Sequence, residues 1–173
     1  MGKGALGALA AYWPEDTARY AHVPLKRVGD ITLHAAAASV GDRVALVTVE
    51  GPVSYAEVSA AVKKLAAALR GRLPKGSRVA LALDDPRELL CVLFACWETE
   101  MLAFAAAGAI APEVVALFGA DLVVGGEGEK AISFASLAAE EGSDKTDRPD
   151  FKKPLLALAK PDRSGEVLHT HKT

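Results

Sequence analysis

Residues 78–97 read RVALALDDPRELLCVLFACW. The first six, Arg78 to Leu83, form an almost unbroken apolar run of the kind found in strands covered on both faces. Asp85-Pro86-Arg87-Glu88 then carries three helix-start signals together. Asp85 offers an acceptor at the cap, Pro86 sits at the first helical position, where its missing amide costs nothing, and Glu88 completes a capping box. The helix is expected to reach about Trp97, with Leu, Val, Phe and Cys around most of its circumference. A buried strand leading directly into a helix is the opening of a parallel β-α-β unit.

The same alternation continues in both directions. Upstream, Pro74-Lys75-Gly76 is a turn, preceded by a helix that opens at the capping box Ser54-Tyr55-Ala56-Glu57. Val58, Val62, Leu65 and Leu69 recur at helical spacing, Lys63, Lys64 and Arg70 keep largely to the other face, and Gly71 is read as a left-handed stop. Before it, Glu50-Gly51-Pro52 reads as a tight turn and Val44 to Val49 (VALVTV) as another strand covered on both faces. Ile31 to Val40 reads as a helix capped by Thr32 and ended by Gly41-Asp42.

Downstream, Met101 to Ala107 is a third strand, Pro112 and Glu113 open a helix closed by Gly119, and Asp121 to Val124 is a fourth strand ending in Gly125-Gly126. A short helix near Phe134 to Glu140 follows. Leu155 to Ala159 (LLALA) is a final short strand, and Lys160 to Gly165 a turn. The fold class is therefore α/β, a three-layer, mostly parallel sheet with helices on both faces. Its organisation reads as an N-terminal helix and arm over 1–30, an α/β subdomain over 31–140, a polar linker over 141–154, and a closing segment over 155–173.

Composition narrows the partners. The chain has 173 residues, 51% hydrophobic and 24% charged, which excludes intrinsic disorder, although 34 of the apolar residues are Ala and imply close packing around small side chains. With 20 basic and 22 acidic side chains the formal charge is -2, so neither nucleic acid nor an anionic membrane is expected as partner. Two Cys fit a reducing, cytoplasmic location. The longest apolar run, Met101 to Pro112, is too short to cross a bilayer.

Little catalytic chemistry is visible in motifs. Cys91 and Cys96 lie about 140° apart around a helix and cannot share one metal, so both read as small buried hydrophobes. His169 and His171 would share one side of a strand, but no second ligand pair joins them, and His22 and His34 are remote in sequence. No G-x-S-x-G elbow is present. Gly125-Gly126-Glu127-Gly128 lacks the spacing of a phosphate loop and carries repelling carboxylates, so a plain turn is the better reading. Asp84-Asp85 is a strand end and helix cap rather than an acid/base dyad. No catalytic residue and no metal ligand is assigned.

Val53 to Val58, then Leu65 to Leu69, then Pro74 to Leu81, resemble in order and spacing the opening of the AMP-forming acyl-CoA synthetases, the acyl-adenylate (AMP-binding) superfamily. There the matching phrases are "TYaEL", a helix with "lAaaL", and "kGDrVal" on a strand. Asp85 to Trp97, Ala111-Pro112-Glu113 and Ala120 to Val124 continue the likeness, which extends over residues 31–173. The resemblance implies that Leu155 to Ala159 is the strand before the family's Ser/Thr/Gly-rich phosphate loop, and Val167 to His171 the flank after it. Lys160, Arg163, Ser164 and Gly165 then occupy the loop that would hold the β and γ phosphates of ATP. Counted back from the flank, the family's glycines fall on Ala159, Asp162 and Glu166, two of them acidic.

The resemblance implies ATP and Mg as the family's cofactors, with fatty or other carboxylic acids as substrates of a ligase. The family's adenine, ribose and Mg motifs lie downstream of the loop. The expectation is thus a synthetase-like N-terminal domain, a remnant or separately encoded piece, without catalysis or cofactor of its own. It would form a homodimer or join a second chain that supplies the missing half. The alternative is a non-catalytic oligomerisation or partner-binding module derived from the synthetase fold.

Overall fold

A computed structural model describes residues 33–105, 110–142, 154–162 and 165–172. The chain divides into two compact units, Met1–Thr32 and Leu33–Thr173, and the described residues all belong to the second. The N-terminal helix and arm, and most of the 141–154 linker, lie outside the described residues.

The elements in order are α1 (Leu33–Val40), β1 (Val44–Thr48), β2 (Gly51–Ser54), α2 (Tyr55–Arg72), β3 (Arg78–Ala82), α3 (Pro86–Glu98), β4 (Leu102–Ala105), α4 (Pro112–Phe118), β5 (Leu122–Gly125), β6 (Ala131–Ile132), α5 (Phe134–Ala139), β7 (Pro154–Asp162) and β8 (Gly165–Lys172). Six strands form one sheet in the order β6-β5-β3-β4-β7-β8, parallel except for β8. The α/β sheet read from the alternation is present.

Strand β3 lies at its centre, with Val79 beside Ala103 on one neighbour and Leu122 on the other. Pleating sends these residues, with Leu81 and Val124, to one face, where they pack with Val58, Val62, Leu65, Leu69, Val92 and Leu137 of α2, α3 and α5. Ala80, Phe104, Val123 and Ala157 point the other way and pack with Phe118 and Ala120. Helices therefore cover both faces. The chain passes from β3 to β4 through α3 on the first face and from β4 to β5 through α4 on the second, so β3 and β4 send their outgoing connections to opposite sides. Such a switch at the carboxyl ends of neighbouring strands is where open α/β sheets form a crevice.

The caps behave as their chemistry requires. Ser54 Oγ accepts from the Glu57 N–H at 3.3 Å and a Glu57 carboxylate oxygen accepts from the Ser54 N–H at 2.7 Å. The Ser54 amide and then its hydroxyl hold the Glu57 carboxyl below its usual range. Asp85 Oδ1 accepts from the N–H groups of Arg87 and Glu88. The reciprocal arm read onto Glu88 is not formed: burial, then the Asp85 charge, raises that carboxyl instead.

Four local readings change. VALVTV is not covered on both faces: among the described residues β1 pairs only with β2, in a separate antiparallel ribbon, and Val44, Val47 and Val49 are exposed. The turn there is Val49-Glu50, with Gly51 and Pro52 already inside β2, because Thr48 Oγ1 donates to the Gly51 carbonyl and closes the hairpin one residue early. Gly71 does not stop α2, which runs to Arg72. Its last turn is held by the Leu73 N–H donating to the Leu69 carbonyl, and Pro74 prevents continuation. LLALA is not a short strand followed by a six-residue turn: β7 continues to Asp162 and β8 begins at Gly165.

Candidate functional site at the carboxyl edge of the sheet

The closing hairpin reaches the edge where a ligand crevice is expected. Strand β7 pairs with β4 from Ala103↔Leu156 to Ala105↔Leu158 and then continues beyond the last residue of β4. Over that extension its partner among the described residues is β8, through Ala159↔Leu168, Lys160↔Val167, Pro161↔Glu166 and Asp162↔Gly165. Because β7 is parallel to β3, β4 and β5, the tip of this hairpin stands at their carboxyl end, beside the switch between β3 and β4.

The four residues read as the remnant of a phosphate loop divide accordingly. Lys160 is in β7 and Gly165 opens β8, while Arg163 and Ser164 lie outside the described residues. A phosphate cradle needs a run of backbone N–H groups free to converge on one anion. Here a regular antiparallel ladder extends to the last pair before the connection, and two of its rungs carry Asp162 and Glu166. Among the described residues of this segment, Lys160, Asp162, Gly165 and Glu166 all hold ladder positions. No three or more His, Cys, Asp or Glu side chains among the described residues gather where a metal ion could sit.

The other sequence candidates take structural places. Cys91 and Cys96 are free thiols inside the core; burial pushes Cys91 up and Cys96 up to about 12, so neither is a ready nucleophile. His169 and His171 stand two apart on β8, opposite Leu158 and Leu156. Gly125, Gly126 and Gly128 all adopt positive φ in the turn from β5 to β6. At Gly125 a Cβ would come within 2.2 Å of the Ala82 carbonyl oxygen, so this glycine is there to let two parallel strands close at their carboxyl ends.

Two groupings had no sequence signal. His34 of α1 joins Ser59 of α2 and Glu98 of α3: Nδ1 is 2.7 Å from the Ser59 hydroxyl and Nε2 pairs with the Glu98 carboxylate. Ser59 is only 4% exposed. The set ties three helices together; a hydrolytic site would need an open nucleophile. The second grouping is a groove of about 390 Å³ between α4 and the β5–β6 turn, floored by Ala82, Val115, Ala120 and Val123.

This architecture and its sequence have relatives. The family described as AMP-binding enzyme matches residues 33–120, about half of the chain. No curated protein matches. Among solved structures, the o-succinylbenzoate CoA synthetase (MenE) of Bacillus subtilis, in complex with its acyl-adenylate intermediate, aligns with TM-score 0.69 and 18% identity over 81% of this chain and 41% of that one. The N-terminal subdomain of Klebsiella oxytoca NpsA, bound to 3-hydroxybenzoyl-AMSN, gives TM-score 0.69 and 23% identity over 83% and 41%. The chain thus spans about two fifths of the length of these structures. From the family match and the shared topology, the chain belongs to the AMP-binding enzyme family and has the fold of part of its N-terminal subdomain.

Proposed function

We propose that this chain supplies the N-terminal scaffold of an adenylate-forming ligase of the acyl-CoA synthetase type, and that it does not activate a carboxylic acid by itself. The observation that carries the second half is the hairpin tip. The segment in the phosphate-loop position is laddered up to Asp162↔Gly165 and bears Asp162 and Glu166, with Lys160 and Arg163 as the nearest cations in sequence. Acyl activation places negative charge on transferring phosphates and needs convergent donors there. On this reading the donors come from another polypeptide or a second copy, in the cytoplasm, and the acid is a fatty or aromatic carboxylate.

The test is carboxylate-dependent exchange of pyrophosphate into ATP by the purified 173-residue protein, with a fatty acid and an aryl acid, alongside equilibrium binding of ATP. Exchange at background and no saturable ATP binding is the expected result. Exchange above background with either acid would overturn it.

A second reading, self-association, is favoured by β1. Its Val44, Val47 and Val49 are 53%, 81% and 106% exposed on a two-stranded ribbon, with no charged residue between Arg43 and Glu50. An apolar strand of this kind invites a second copy of the chain. Light scattering at micromolar concentration should give twice the monomer mass, and Val47→Lys should restore the monomer. A strictly monomeric parent protein removes this reading.

A further inference from the structure

The groove between α4 and the β5–β6 turn is independent of the nucleotide question. Its floor is apolar, from Ala82, Val115, Ala120 and Val123, and its volume of about 390 Å³ suits one or two aliphatic side chains. Its rim is charged and unbalanced. Lys130 directs its ammonium to the Ala120 carbonyl at 2.9 Å. Glu127 and Glu129, both exposed, line the mouth with no cation within salt-bridge distance among the described residues. Gly128 carries no Cβ and has open space where one would be, which lets a visiting backbone approach.

We propose that this groove docks a basic-apolar polypeptide segment, an aliphatic side chain in the apolar floor with flanking Lys or Arg against Glu127 and Glu129. Charge selects this occupant over a second copy that presents α4. Leu117 of α4 is 68% exposed, and a copy that brought Leu117 into the groove would also bring Glu113 of the same short helix to an acidic rim. Like charges at a rim disfavour association, whereas opposite charges steer it. The two carboxylates, four and six sequence positions after the buried Val123, provide orientation, and the floor provides the area removed from water.

The test uses the full chain and three labelled synthetic hexapeptides read by fluorescence anisotropy: a Leu-Leu pair flanked by lysines, the same pair flanked by glutamates, and an Ala-Ala pair flanked by lysines. Only the Lys-flanked Leu-Leu peptide should saturate. Its affinity should fall about fivefold or more in Glu127→Gln/Glu129→Gln, as expected for two partly screened rim charges. It should also be lost in Ala116→Arg, which fills the mouth from α4; circular dichroism checks that both variants fold. No saturable binding of that peptide overturns the proposal. Equal binding of the Ala-Ala peptide, which would mean simple counter-ion association, or an unchanged affinity in the charge-neutral variant, overturns it equally.

Discussion

Replacing Gly125 by Ala should be among the most damaging single-methyl additions in the domain, and the geometry gives its size. Gly125 has φ +81°, a conformation that costs a residue with a side chain about 1–2 kcal/mol. The added methyl would also lie 2.2 Å from the Ala82 oxygen and 2.9 Å from its carbonyl carbon. These are backbone atoms at the end of β3, which cannot rotate away. Relief requires parting β3 from β5 where Ala82 pairs with Gly125, so strain of about 2–3 kcal/mol is added, the scale of core overpacking.

The sum, about 3–5 kcal/mol, is a large part of the roughly 5–15 kcal/mol that holds such a domain folded. A melting temperature lowered by about 10 °C follows for a domain of this size. Gly128→Ala is the internal control. Gly128 also has positive φ, +132°, but no atom lies within 4 Å of the new methyl, so only backbone strain of about 1–2 kcal/mol remains. Differential scanning calorimetry of both variants separates the terms. If Gly125→Ala melts within a degree or two of Gly128→Ala, the close approach of the two strands at this turn is wrong.

Two further outcomes follow from the same structure. The Glu57 carboxyl is held below its ordinary 4.5 by the Ser54 amide and hydroxyl, so its contribution to stability is complete above that value and is lost as the pH falls through the lowered one. The difference in urea midpoint between the parent and Ser54→Ala should accordingly be clear at pH 7 and shrink in strong acid; a difference independent of pH counts against the capping box. Cys91 and Cys96, both in the core and with Cys96 raised to about 12, should resist a thiol reagent at pH 8 in native protein and react together on unfolding. Rapid labelling of the folded chain would show that the helix α3 face is open.

Much of this protein was legible in its sequence because the deciding signals were local. The Ser54 and Asp85 acceptors, Pro86 and Pro112 at first helical positions, and Gly119 in left-handed conformation act within a few residues of themselves, so the starts of α2, α3 and α4 and the end of α4 could be read directly. The buried strands RVALA and LVVG were legible for a related reason: a strand covered on both faces must be apolar at each covered position, whatever its neighbours are.

Pairing was decided by tertiary structure. VALVT is as apolar as RVALA, yet it forms a two-stranded ribbon with Val47 exposed, because composition states what a strand tolerates and not which strand lies beside it. The extension of β7 to Asp162 was hidden for the same reason, since Lys160-Pro161-Asp162 reads locally as a turn and becomes strand only when β8 folds back along it. The joining of His34, Ser59 and Glu98, and of Ala82 with Val115 and Glu127, depends on how separate elements cross in space. Local chemistry determined where the elements are; long-range packing, which rewards contacts only after the chain has closed its loops, determined what they build together.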